Sequence, residues 1–329
     1  MPDPDTPLLL EMQPSCAGMR LDRALSQSLP EHSRAAIQQW LKQGLVRVDG
    51  APAKQSLRLA GGERVTITPP PADAPADDAA DAPAQPMDLD IIHHDADIAV
   101  INKPPGLVVH PGAGRADRTL LNALLHWDES LRALPRAGIV HRLDKDTSGL
   151  LVVARNEAAR RRLIAQLDDR SMARSYLAVA NGVMVAGERI EQPIGRHRRD
   201  RLRMCVTARG KAAATRIRVA QKFRSHCLLQ AELESGRTHQ IRVHLSWRGF
   251  ALVGDSLYGA RVRLPPDCGD DLRATLRQFS RQALHAEQLS LRHPRDGEQR
   301  HWRQPMPHDL QRLVAQLTED CERHRRSGE

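Results

Sequence analysis

Apolar and polar positions change period several times along this chain, and the changes outline its elements. Leu21, Leu25 and Leu29 recur at helical spacing. Ser33 is placed to cap a second helix carrying Ile37, Trp40 and Leu41, and Gly44 to end it. Leu45–Val48 followed by Asp49-Gly50 reads as a strand and tight turn, and Arg64–Thr68 as a further strand. Beyond residue 88 strands and helices mix without a regular βαβ repeat. Ile98–Ile101 is an apolar strand entering the rigid turn Asn102-Lys103-Pro104-Pro105-Gly106, residues 158–167 look helical, and Tyr176–Ala180 is a strand. Leu229, Ala231 and Leu233 alternate with Gln230, Glu232 and Glu234, the mark of a half-buried strand. The pattern predicts an α+β fold with a large, mostly antiparallel mixed sheet, plus a small N-terminal α/β unit.

From Pro69 to Pro86 the chain is Ala, Pro and Asp with almost nothing to bury, and reads as a linker. The expected organisation is an N-terminal tail (1–18), a small domain (19–68), the linker (69–87), a large domain (88–310) and a charged C-terminal tail (311–329).

Two apolar runs, Gly138–Val140 and Leu150–Ala154, read as buried strands, and the loop between them holds His141, Arg142, Asp144, Lys145 and Asp146. A charged loop is ordinarily a solvated turn. A fold seldom spends so many ionisable groups between two core strands unless they face a ligand, but taken alone the solvated turn is the commoner reading. A second dense stretch runs from Gly236 to Leu245. Its alternation permits a strand, while Thr238 as N-cap and Gly249 beyond the end permit a helix. Ile241 and Leu245 lie at i, i+4, which leaves Arg242 at the edge of a core, suited to a carboxylate partner; a surface salt-bridge helix is the plainer alternative. An arginine beside Asp144 would hold that carboxylate ionised and oriented. Tyr176, one of two tyrosines, is by default a core residue with a satisfied hydroxyl.

The 329 residues carry a formal charge of +9, which points to a polyanionic partner. Residues 69–87 contain four aspartates and no Lys or Arg, so the rest of the chain is more basic still. Aromatic residues are only 3 %, too few for extensive base stacking. Arg196, Arg198, Arg199, Arg201 and Arg203 fall within eight residues and suit phosphate contacts. Five scattered cysteines form neither a zinc spacing nor a disulfide framework. His93-His94-Asp95 lacks further spaced ligands and reads as a solvated strand entrance, so no metal is expected. Gly112-Ala113-Gly114 lacks the third glycine of a dinucleotide motif, and neither a P-loop nor a Gly-x-Ser-x-Gly elbow occurs, so no nucleotide or other cofactor is expected. With no apolar run of membrane-spanning length and an acidic, Pro-rich start unlike a secretory signal, a cytoplasmic protein with reduced thiols is expected.

The full string Gly138–Ala154 resembles the signature of the RNA pseudouridine synthases of the ribosomal large-subunit type. The likeness extends over about residues 19–310, through Asn102-Lys103-Pro104, Leu107–Gly114, Pro135–Gly138, Gly254-Asp255 with Tyr258-Gly259, and Arg281–Ala286. It implies that Asp144 is the catalytic carboxylate, that the Arg242 segment is helical, and that Tyr176 packs against a flipped base. It also implies that Arg142, with His141 beside it, contacts RNA, the arginine filling the gap the base leaves. Residues 19–68 resemble the S-four-type RNA-binding module, which implies phosphate contacts from Arg20, Arg23, Arg34, Lys42 and Arg47. The Arg196–Arg203 stretch and the long linker depart from the family. The resemblance implies a monomer acting without cofactor or membrane on 23S rRNA within the assembling large subunit, with the loop of helix 69 as expected substrate. Two other readings compete: a noncatalytic RNA-binding ribosome assembly factor, and a nucleoside hydrolase, whose chemistry usually wants two carboxylates.

Overall fold

The computed structural model describes residues 7–29, 34–68, 79, 82–110, 117–200, 202–259 and 262–327, which divide into two compact units, 1–80 and 81–329. Ser33, Gly112-Ala113-Gly114 and Arg201 lie outside the described residues.

In the first unit, strand β1 (Leu8–Glu11) precedes helices α1 (Leu21–Ser28) and α2 (Arg34–Lys42), followed by β2 (Val46–Val48), β3 (Ala51–Pro52) and β4 (Arg64–Ile67). The strands form an antiparallel sheet in the order β1-β4-β2-β3. The apolar spacing of the helices works as predicted: Leu21, Leu25, Leu29, Ile37, Trp40 and Leu41 join Val46, Val65 and Ile67 in one core. Asp49 and Gly50 both have φ > 0, which gives the tight turn between β2 and β3 a twist matched to its strands. Residues 8–17 are not a tail. β1 pairs with β4, and Met12 and Cys16 are buried in the core.

The second unit is built on a nine-stranded sheet. Its strands are β5 (Ile91–His94), β6 (Ile98–Lys103), β7 (Ser148–Ala154), β8 (Ala173–Asn181), β9 (Glu188–Glu191), β12 (Ala214–Lys222), β13 (His226–Leu233), β14 (Leu284–Arg292) and β15 (Gln299–Arg303). The order is β5-β6-β7-β14-β8-β13-β12-β9, with β15 also on β14; among the described residues only the β7–β14 pairing is parallel. A separate hairpin comprises β10 (Ile194–Arg196) and β11 (Met204–Val206). Helices α3 (Leu120–Trp127), α4 (Glu157–Asp168), α5 (Gln240–Trp247), α6 (Asp270–Gln278) and α7 (His308–Ser327) complete the unit. None of the described helices is long and apolar enough to cross a membrane.

Three further sequence expectations change in this unit. Gly138–Val140 is not a strand: Pro135–Gly138 makes a 3-10 turn with Arg136 and Ala137 at positive φ, and Ile139 touches β7 only through a bridge to Val153. Residues 82–87 are not free linker. Ala82 is buried, Pro83 O accepts from Asn122 Nδ2 at 2.8 Å, and Gln85 N donates to Asn122 O at 3.0 Å, which straps the segment along α3. Residues 311–327 are not a tail either, because α7 buries Leu310, Leu313 and Leu317 against Leu272 and Leu276 of α6.

Every residue of β7 is buried, as expected of a strand covered on both faces and paired in parallel on one side. Gly149 lies opposite Ala286 of β14 at φ +110°, where a Cβ would stand 2.2 Å from the Ala286 carbonyl oxygen. We expect Gly149→Ala to force the sheet apart at its centre and lower unfolding stability by at least ~2 kcal/mol. Urea denaturation against the parent protein measures this.

Candidate active site

The loop joining the Pro135–Gly138 turn to β7 is held by its own backbone groups. Thr147 N donates to Asp144 O at 3.0 Å, closing a turn. Lys145 O accepts from Gly106 N at 2.9 Å and from Lys103 Nζ at 2.9 Å. Arg281 Nη1 donates to Asp146 O, and Gln282 Nε2 to Thr147 Oγ1, both at 3.1 Å. Lys103 is fully buried, and its Nζ also donates to Pro104 O at 2.8 Å and Leu107 O at 3.0 Å. Burial pulls this lysine down to about 7, against the opposing pull of Asp146 and Asp144. Three carbonyl acceptors use all three ammonium protons, so the geometry is that of the charged form.

Asp144 projects from this fixed loop with a partly accessible side chain. Its Oδ2 accepts from Arg242 Nη1 at 2.9 Å. The other edge of the same guanidinium is bound bidentately by Asp255, with Nε to Oδ2 at 2.7 Å and Nη2 to Oδ1 at 2.9 Å. Asp255 is itself held by the N–H groups of Leu257 and Tyr258, each 3.0 Å from Oδ1. Arg242 therefore has both edges occupied and cannot swing. Burial, which disfavours its charge, is overcome by the two carboxylates, and its pKa stands above the ordinary arginine value.

Arg242 lies on α5, so the stretch whose spacing left strand and helix open is a helix. Thr238 does not cap it. The N-cap is His239, in a left-handed conformation with no side-chain cap, and Gly249 at φ +83° follows the C-terminus. Ile241 and Leu245 are buried, as their spacing predicted. The His239 turn serves the site instead of the helix: Nδ1 lies 2.8 Å from Tyr258 Oη and Nε2 lies 3.8 Å from Asp144 Oδ1. Burial lowers the His239 pKa despite the opposing pull of Asp144. Tyr258 Oη also accepts from Met204 N at 2.7 Å, and its ring underlies Arg242 at 5.0 Å and Arg203 at 5.5 Å. The β10–β11 hairpin, which carries exposed Arg196, Arg198 and Arg199, is thus fastened to the site through Tyr258.

Tyr176 is 5 % exposed on β8, between Ala231 and Ala286 of the neighbouring strands. Burial raises its pKa; the charge of Asp144 adds to this and that of Arg174 opposes it, so the phenol is neutral at physiological pH. Arg142 is exposed. The ring of His141 pins β7, its Nε2 accepting from Val152 N at 3.1 Å. Burial, helped by Arg174, takes His141 down to about 3, so it is a neutral ring and not a cation for phosphate. In the N-terminal unit Arg23, Lys42 and Arg47 are exposed, while Arg20 Nε is engaged by buried Asp22 at 3.1 Å. Arg34 opens α2, and its side chain lies outside the described residues.

His93, Asp95, Asp97 and His293 cluster away from this loop, with Asp95, Asp97 and His293 within reach of a single ion. Their atoms have other work. Asp95 Oδ1 caps the N–H groups of Asp97 and Ile98, its Oδ2 meets both histidines, and Asp97 binds Arg295 and Asn156. The strand entrance is a structural network and not a merely solvated one.

Asp255, His239, Tyr258 and Lys103 went unassigned from sequence. Asp255 and Tyr258 stood within the quoted Gly254–Gly259 string, but nothing in their spacing tells which cation they meet.

The family model for RNA pseudouridylate synthase matches residues 97–247, and the S4 domain model matches residues 19–65. Similar relatives include the ribosomal large subunit pseudouridine synthase D of Yersinia pestis, 48 % identical over 93 % of each chain. That of Xanthomonas campestris pv. campestris is 47 % identical over 94 % of this chain and 92 % of its own. The chain belongs to the ribosomal large subunit pseudouridine synthase D family. Among solved structures, human RNA Pseudouridylate Synthase Domain Containing 4 superposes with a TM-score of 0.54 at 25 % identity, over 69 % of this chain and 92 % of that one. Human RNA Pseudouridylate Synthase Domain Containing 1 gives 0.52 at 27 % identity, over 70 % and 90 %.

Two predictions come from this geometry. Removing the guanidinium would leave Asp255, whose side chain is wholly buried, as an unpaired charge. Arg242→Ala should therefore cost roughly 3 kcal/mol of stability together with activity, whereas Asp144→Ala should leave stability within about 1 kcal/mol; thermal denaturation separates the two. The second concerns pH. Burial takes His141 to about 3 and both His110 and His226 to about 4, from an ordinary 6.5. Below pH 6.5 the unfolded chain takes up protons that the folded protein declines, so stability falls as pH drops toward 4. We expect a loss on the order of 1 kcal/mol per histidine between pH 7 and 5, and a flatter profile for His226→Leu in urea titrations.

Proposed function

We propose that this protein isomerises uridines of 23S rRNA to pseudouridine, with Asp144 as the reacting carboxylate and the loop of helix 69 as substrate. The observation that carries this reading is a partly accessible carboxylate on a locked loop, oriented by an arginine that a second, buried carboxylate holds still.

The reaction breaks the N1–C1′ bond, turns the base and forms a C5–C1′ bond; N1 gains a proton and C5 loses one. No net redox change or added group is required. A uridine in folded RNA must first leave its stack at a cost of a few kcal/mol. Exposed Arg142 fills the vacated space, and phosphate contacts from Arg196, Arg198 and Arg199, and from Arg20, Arg23, Arg34, Lys42 and Arg47 of the N-terminal unit, offset the cost. Asp144 then attacks C1′, adds to C6, or removes the C2′ proton; each route starts from the ionised carboxylate that Arg242 secures. Tyr176 stacks on the uracil during its rotation, and its neutral phenol can relay the C5 proton. The enzyme works as a cytoplasmic monomer on the assembling large subunit.

A hydrolase would need a second acid at the site. Asp255 accompanies Arg242, but it is buried and fully bonded, so it cannot act on a water. A noncatalytic assembly factor would have no use for a carboxylate facing RNA.

The test uses large-subunit rRNA tritiated at uridine C5. Release by the parent protein and none by Asp144→Asn, with RNA affinity unchanged within a few-fold, is expected. Release by the variant above about 1 % of the parent rate removes Asp144 from the chemistry, and free uracil as product would mean hydrolysis.

A further inference from the structure

Arg174 is a buried cation with no counter-charge. It is 9 % exposed, its Nε is buried without a hydrogen-bond partner, and among the described residues no carboxylate lies within ion-pair distance of it. A buried N–H left without an acceptor is costly, and an acceptor that arrives from outside would satisfy it.

Its position says where that acceptor would sit. Arg174 stands two residues before Tyr176 on β8, so both side chains leave the same face of the sheet. Ser175, between them, faces the other way and accepts from Gln230 Nε2 at 3.0 Å. The guanidinium lies against Gly236, where a Cβ would meet Nη1 at 3.2 Å, at the start of the turn that leads into α5. It is close enough to His141 and Tyr176 for its charge to weigh on both. His141 adds a second unsatisfied donor to this wall. Since its Nε2 accepts from Val152 N, the proton of the neutral ring is on Nδ1, which is buried and without a partner. Arg174 and His141, near enough for the charge of one to weigh on the other, thus each keep a buried donor without an acceptor, and neither donor is needed to hold the loop or Arg242.

We propose that Arg174, with the Nδ1–H of His141 beside it, binds a backbone phosphate of the RNA at or next to the target uridine, and so fixes the sugar over Asp144. Arginine suits this role because its planar fork takes two phosphate oxygens at once and keeps its charge in a dry site. Arg242 cannot do the same, as both its edges are taken. Arg174 is thus a binding residue for the substrate backbone, distinct from the exposed arginines that steer RNA to the surface. The proposal rests on the reading of the site as one for RNA.

The test is a double substitution, one half on the protein and one on the RNA. A stem-loop with the helix 69 sequence is made with each loop linkage replaced in turn by an uncharged methylphosphonate. Affinity is measured by fluorescence anisotropy in an Asp144→Asn background, and tritium release with Asp144 intact reports separately whether the RNA is a substrate. One linkage should cost about 10- to 100-fold in affinity when Arg174 is present and nothing further in Arg174→Gln, which already binds the native RNA that much more weakly. Arg174→Lys, which keeps the charge and loses the fork, should recover part of the loss. Equal affinity for every methylphosphonate RNA when Arg174 is intact overturns the proposal, and this arm does not depend on any Arg174 variant folding. Losses that multiply at every linkage overturn it as well. Tight, linkage-sensitive binding without tritium release would refute the proposed reaction while leaving the phosphate site standing.

Discussion

One guanidinium shared by two carboxylates governs the arrangement of this site. Arg242 is clamped by Asp255 along one edge and presents its remaining Nη1 to Asp144. Because Asp255 is fixed in turn by two backbone N–H groups, the direction of the Asp144 carboxylate is set by a chain of short bonds that ends in the main chain. Two anions against one cation leave the cluster with a net negative charge in a half-dry setting. That imbalance is tolerable because Lys103 and Arg142 stand near it. A polyanionic partner would add to that negative charge, so cations near the cluster matter to any approach of RNA.

The large sheet makes this geometry possible by bringing distant segments to one edge. The Asp144 loop runs into β7, the parallel partner of β14, and the residues just before β14, Arg281 and Gln282, reach back to hold the loop. Lys103, at the end of β6, grips the same loop from the opposite side. Glycine at position 149 allows the two strands to approach where a methyl group would meet the carbonyl of Ala286. The hairpin with its exposed arginines hangs from the site through Tyr258, whose hydroxyl joins Met204 to His239.

Local patterns carried most of the elements. The leucine spacing of α1, the Asp49-Gly50 turn, the alternation of β13 and the solid apolar run of β7 are short-range features whose period is imposed by the helix or the strand itself. Patterns misled where an apolar or polar stretch takes its role from a distant partner. Gly138–Val140 is apolar enough for a strand, but positive φ at Arg136 and Ala137 turns the chain first. Residues 8–17, 82–87 and 311–327 look like tails or linker until β4, α3 and α6 supply the surfaces that bury them.

The sequence by itself determined the kind of protein: a basic α+β chain with a loop of ionisable groups between core segments and motif strings that name the family. Its spacing left the Arg242 stretch open between strand and helix, and the family resemblance pointed to the helix. Only the tertiary structure decided which groups meet. Asp144 and Arg242 are ninety-eight residues apart, and Asp255 and His239 complete their contacts from two further turns. Charge pairing depends on through-space distance and on how much water is excluded, and neither is written in local spacing. The same holds for Arg174, an ordinary strand residue in the sequence, which folding leaves buried with its Nε–H unbonded.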